Sequence, residues 1–121
     1  MLKKITLILT LLCMLVLTAT AANRRFTLVI DPGHGGHDAG ALGAISKEKN
    51  INLSVALQFG KYVERNMPDV RVIYTRKTDV FIPLKERANI ANRANADLFI
   101  SVHTNALPAG KIARGFETYT L

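Results

Sequence analysis

A chain of 121 residues can enclose one small hydrophobic core but not two. Its 16 basic against 9 acidic residues suit an acidic partner. The basic residues are scattered and no aromatic run accompanies them, which argues against nucleic acid and for an exported polyanion such as cell-wall material. The single cysteine, Cys13, allows neither an intrachain disulfide nor a thiolate cluster, so any metal must be held by histidine and carboxylate.

The chain opens with a basic start at Lys3 and Lys4, continues with an apolar run over residues 5–16 and closes the segment with Ala19-Thr20-Ala21. These are the three parts of a secretory signal peptide, expected over residues 1–21, with residues 22–121 as the mature domain. The apolar run is shorter than the ~20 residues a spanning helix needs. Leu12 before Cys13 is too bulky for a lipid-attachment site, so no stable membrane anchor is expected after cleavage. The expected location is the periplasm or cell envelope. Without Lys3 and Lys4, 14 basic residues face 9 acidic ones, a net of +5.

Residues 26–30 read as a short buried strand ended by Pro32, which cannot donate to a sheet ladder. The loop that follows, Gly33-His34-Gly35-Gly36-His37-Asp38-Ala39-Gly40, surrounds His34 with glycines, and such residues let a backbone approach a ligand closely. The loop alone does not distinguish a ligand site from a solvent-facing turn. Over residues 48–66, Leu53, Ala56, Leu57, Gly60, Val63 and Met67 mark one apolar helix face, with Ser46 as N-cap and Glu48 in the first turn. Pro68 stops that helix, and residues 70–75 alternate as a β-branched strand.

A polar connection leads to a second helix over residues 84–94, with Leu84, Ala88, Ala91 and Ala94 along one side. Residues 97–102 are apolar almost throughout, as expected of a strand buried on both faces. This alternation predicts an α/β fold: a mostly parallel sheet with helices on its faces, in a single domain. Residues 115–121 read as another strand after a flexible connection through Pro108 and Gly110. The domain is therefore expected to be incomplete at its C-terminus.

His34 follows the first strand, Glu48 opens the helix after it, and His103 directly follows the third. Positions just past the carboxyl ends of parallel strands share one rim, where open α/β sheets bind ligands. Two imidazoles and a carboxylate make a Zn²⁺ site that keeps a fourth position for water. Each residue also has a plainer reading, Glu48 as a helix-dipole carboxylate and His103 as a histidine bonded to a backbone carbonyl. Their coincidence on one rim favours the metal. The same residues could form a facial triad for non-haem Fe(II), but α/β alternation does not suit that class. His37 is expected in solvent. Asp38 is expected to bond loop amides or to orient a histidine, as Asp31 could too, and Arg87 to pair with Asp79.

The string from Asp31 to Gly36 with Asp38 and Gly40-Ala41, then Lys47-Glu48, Asn52-Leu53, Thr75-Arg76, Asp79, Leu84, Arg87 and Ala91-Asn92, and finally Ser101-Val102-His103-Thr104-Asn105-Ala106, resembles the zinc-dependent N-acetylmuramoyl-L-alanine amidases of the bacterial cell wall. The resemblance spans residues 26–121. It implies an α/β domain, Zn²⁺ on His34, Glu48 and His103, and hydrolysis of the amide between muramoyl groups and L-alanine in peptidoglycan. Asp38 and Asn105 are read as supporting or substrate-facing residues. The family's further glutamate, its general base and acid, has no match here and is expected beyond Leu121, which leaves Glu117 as the one stand-in. A non-catalytic peptidoglycan-binding module is the alternative, and an activator protein is a further partner on which the sequence is silent.

Overall fold

The computed structural model describes residues 4–6, 8–11, 13, 24–107, 111 and 115–120. Residues 4–6, 8–11 and 13 are helical and exposed, and no helix among the described residues is long and apolar enough to cross a membrane. The expected cleavage site at Ala19-Thr20-Ala21 and the connection at Pro108 and Gly110 lie outside the described residues.

The order is β1 (Phe26–Pro32), α1 (Glu48–Asn66), β2 (Val70–Tyr74), α2 (Leu84–Arg93) and β3 (Leu98–Val102). The strands form one parallel sheet with β1 in the middle, in the order β2-β1-β3. β1 is the strand enclosed on both flanks and both faces: Leu28, Val29 and Ile30 are buried, the last two completely. Alternation sends Leu28 and Ile30 to one face, where they pack with Ala56 and Val63 of α1 and with Val72, Tyr74 and Ile100. Gly60 lets α1 approach β2, since a Cβ there would overlap the Tyr74 ring. On the opposite face, Asp31 meets Arg87 of α2, so the sheet carries a helix on each side.

Several expectations need correction. The residues α1 buries are Glu48, Lys49, Asn52, Ala56, Gly60 and Val63, a face rotated toward polar residues, while Met67 is 52% exposed. Ser46 is not the N-cap; Lys47 takes that place without a side-chain bond, because Ser46 is held in a turn closed by Gly43 N–H donating to Ser46 O at 2.9 Å. In α2, Leu84 is 86% exposed and Arg87 is the buried residue, so a polar network and not an apolar stripe fastens this helix. Arg87 pairs with Asp31 at 2.7 Å, and Asp79 pairs with Lys49 at 2.5 Å.

Nor is β3 buried on both faces. Leu98 and Phe99 are exposed, since β3 is an outer strand of the described sheet. Residues 115–120 form no strand: nothing described pairs with them, and strand propensity without a ladder partner does not hold an extended chain.

Candidate metal centre

β1 and β3 leave the sheet side by side. Pro32 is in register with Val102, and the Gly33 N–H donates to Val102 O at 2.9 Å, so His34 and His103 emerge together at the carboxyl edge. The connection after β1 runs to β2 on one flank, while β3 lies on the other. This divergence opens a crevice at the strand ends, the usual ligand position in open α/β sheets. Missing side chains make room there. A Cβ on Gly33 would overlap the His103 imidazole, and one on Gly40 (φ 63°) would lie 2.6 Å from His34 Cδ2 and 2.7 Å from Glu48 Oε2.

His34 itself has φ 62°, in the left-handed region that residues with a Cβ seldom occupy. From there the loop turns back through paired bonds between Gly35 and Asp38, of 2.9 and 3.0 Å. Asp38 thereby reaches His34, with Oδ2 2.9 Å from Nδ1. The bond to His34, helped by the Gly40 amide, holds the Asp38 carboxyl below its ordinary pKa. An ionised carboxylate only accepts, so the Nδ1 that faces Asp38 carries a proton, and Nε2 is the ring nitrogen turned to Glu48, 3.3 Å from Oε2.

Glu48 is 5% exposed, and its two oxygens are separately occupied. Oε2 accepts from the Ala41 N–H at 2.8 Å; Oε1 accepts from the Thr104 N–H at 3.0 Å and the Asn52 amide at 3.4 Å. His103 Nδ1 lies 3.1 Å from Oε1. Burial opposes ionisation, but the amides of Ala41 and Thr104, then Asn52 and His103, outweigh it and lower the carboxyl from 4.5 to about 2. Asn52, fully buried, donates to Gly33 O at 3.3 Å and accepts from the Thr104 hydroxyl at 2.9 Å, so it joins helix, loop and strand end.

His34, Glu48 and His103 thus offer ligand atoms that all lie within 4.8 Å of one another. The imidazoles meet edge to face, with centroids 4.9 Å apart. Each imidazole faces its own oxygen of Glu48, His34 Nε2 at 3.3 Å from Oε2 and His103 Nδ1 at 3.1 Å from Oε1, so two nitrogens and a carboxylate converge as Zn²⁺ ligands do. The donor set fits a divalent ion of the zinc type.

A sequence profile of the Amidase_3 family, described as N-acetylmuramoyl-L-alanine amidase, matches residues 28–121. The chain belongs to this amidase family. Similar proteins include the endolysin of Bacillus phage SPP1, 49% identical over 90 residues that cover 74% of this chain and 32% of that protein. N-acetylmuramoyl-L-alanine amidase AmiA of Escherichia coli K12 is 42% identical over 96 residues, covering 78% of this chain and 32% of AmiA. Among solved structures, the N-acetylmuramoyl-L-alanine amidase of Clostridium difficile 630 superposes with a TM-score of 0.72 at 37% identity, over 76% of this chain and 50% of that one. The amidase-family chain therefore spans about a third of the length of these curated relatives.

The other candidate residues fall on both sides of expectation. His37 is exposed, its ring tilted against Phe81 with centroids 4.1 Å apart, and outside the ligand group. Asp31 touches no histidine; it binds Arg87, Thr75 and Ser101. Asn105 is exposed beside the site, and it is Thr104 and Asn52 that donate to Glu48. Glu117 is exposed, accepts from the Tyr119 hydroxyl and is not in the ligand group. The sequence signal for Asn52 was its place one turn after Glu48 on the same helix. Thr104 carries no comparable signal, because its contribution is a backbone amide.

Proposed function

We infer that this amidase-family chain carries the metal-binding part of an exported Zn²⁺ enzyme that hydrolyses the amide between N-acetylmuramoyl groups and L-alanine in peptidoglycan. The supporting observation is the convergence of His34, Glu48 and His103 at the carboxyl edge of β1 and β3, with ligand atoms within 4.8 Å. When bound, Zn²⁺ supplies Lewis acidity to a water molecule and to the amide carbonyl. The chain's own residues prepare that position. Asp38 accepts the hydrogen bond of His34 Nδ1, which leaves Nε2 as the nitrogen that would hold the ion. The amides of Ala41 and Thr104 hold the Glu48 carboxyl below its ordinary pKa, so that it is charged near neutral pH. Export over residues 1–21 would deliver the protein to the envelope, where its net positive charge favours approach to an anionic wall.

The test is metal stoichiometry together with product analysis. Protein carrying one Zn²⁺ per chain should bind peptidoglycan fragments and release peptides with a free L-alanine amino terminus only slowly, since among the described residues no general base stands beside the ligand group, and His103→Ala should lose both the zinc and the release. Zinc retained in His34→Ala but lost in His37→Ala would refute the ligand set. Wall products that end in a new sugar reducing end would refute the bond assigned.

A further inference from the structure

Beneath the His34 loop lie two arginines that the metal chemistry does not use. Arg76, just after β2, is 3% exposed, and Arg87, on α2, is 4% exposed. Together they donate to every main-chain carbonyl from Pro32 to His34. Arg76 Nε and Arg87 Nη1 both reach Pro32 O at 2.9 Å, Arg76 Nη2 reaches Gly33 O at 2.9 Å, and Arg87 Nη2 reaches His34 O at 2.8 Å. Arg76 Nη2 also donates to Lys49 O at 2.9 Å. One nitrogen therefore ties the residue before His34 to the residue after Glu48.

A buried guanidinium is a poor source of stability, because desolvation offsets most of what its partners return. Arg87 has Asp31 as a counter-ion, but all the hydrogen-bond acceptors of Arg76 are carbonyls: those of Pro32, Gly33, Lys49 and Thr78. Apolar side chains could fill the same space. They could not present a planar fork of donors to three consecutive carbonyls. Those carbonyls flank and include a histidine at φ 62°, a conformation that persists only where its surroundings over-determine it.

We propose that Arg76 and Arg87 are positioning residues of the metal centre, clamping residues 32–34 and the first turn of α1 so that His34 Nε2 and Glu48 Oε2 stand at ligand spacing before an ion arrives. The inference rests on the metal-site reading above. Lysine at either position keeps the charge but has one compact ammonium in place of the fork, so the carbonyls can no longer all be held.

The experiment compares the unsubstituted full chain with Arg76→Lys, Arg87→Lys and the control Arg93→Lys, whose arginine lies on the exposed end of α2 against Glu86. Urea unfolding of the metal-free proteins reports the fold. Competition with a chromophoric chelator gives Zn²⁺ affinity, and the visible absorption of bound Co²⁺ reports ligand geometry. The expected result is cooperative unfolding in all four proteins. Zn²⁺ affinity should fall by about 10- to 100-fold, with an altered Co²⁺ spectrum, in Arg76→Lys and Arg87→Lys but not in Arg93→Lys. A folded clamp variant with unchanged affinity and spectrum overturns the proposal. So does an equal loss in Arg93→Lys. If neither clamp variant folds without metal, the arginines serve the fold and not the ligand geometry, which also overturns it. Failure of the unsubstituted chain to bind Zn²⁺ or Co²⁺ is a different result, which overturns the metal-site reading and the clamp with it.

Discussion

Replacing Glu48 with glutamine tests the centre of the site through its pH behaviour. The carboxylate accepts the Ala41 and Thr104 amides on different oxygens. Glutamine has one oxygen, so one of these buried N–H groups would face an NH₂ and lose its acceptor, at a cost of about 1–3 kcal/mol. The charge contributes separately. The folded pKa of about 2 lies below the ordinary 4.5, so on acidification the unfolded chain takes up this proton first. The resulting stability is complete above pH 4.5 and is lost as pH falls toward 2. Over that window it amounts to about 3 kcal/mol, at ~1.4 kcal/mol per unit. Glu48→Gln has no such titration, so its deficit against the unsubstituted chain should be largest near neutrality and shrink below pH 4.5. Urea unfolding of both metal-free proteins from neutral pH down to about pH 3 reads this difference directly. Two stability curves that stay parallel throughout would refute the account of how Glu48 is held.

Gly33→Ala drives a methyl group into the His103 imidazole, whose side chain is 41% exposed and free to swing outward. Calorimetric titration should show zinc affinity falling by at least about tenfold, while unfolding free energy drops by only about 1–3 kcal/mol. Asp31→Ala removes the counter-ion of Arg87 and the acceptor of Thr75 and Ser101, so denaturant unfolding should register a loss of about 3–5 kcal/mol. Chelation should lower the melting temperature, and zinc at ~100 times its dissociation constant should restore about 2.7 kcal/mol, a gain that His103→Ala abolishes. His37→Ala should leave zinc affinity unchanged in the same titration, since His37 packs on Phe81 outside the ligand group.

The alternation of strands and helices was legible along the chain because it rests on local signals. Pro32 ends β1, Pro68 follows α1, and the β-branched run over residues 70–75 announces β2. Parallel connections then oblige the residues after β1 and β3 to share an edge, so His34, His103 and the start of α1 could be placed on one rim before any coordinate was known. Family motifs added the chemistry that such a rim carries.

What periodicity could not supply was the identity of each partner. Leu53 and Leu57 suggested one face of α1, yet the helix is turned so that Lys49 and Asn52 point inward. Their bonds to Gly36, Asp79, Gly33 and Thr104 reach segments between 13 and 52 residues away in sequence. Arg87 could have met Asp79 or Asp31 with equal local justification, and only the fold, which sets its guanidinium 2.7 Å from Asp31, chose between them. Leu98 and Phe99 read as buried on both faces, and residues 115–120 read as a strand, because hydrophobicity reports what a segment could cover and not what lies beside it. The left-handed His34 was likewise hidden, since glycines neighbour it on both sides and any of them could have taken the turn. Burial, pairing and backbone strain are settled between distant segments, so the sequence by itself determined the order of elements and the kinds of ligand available. Only the tertiary structure decided which polar groups are buried, and it did so because a buried polar group must find its hydrogen-bond partner wherever the fold has put one.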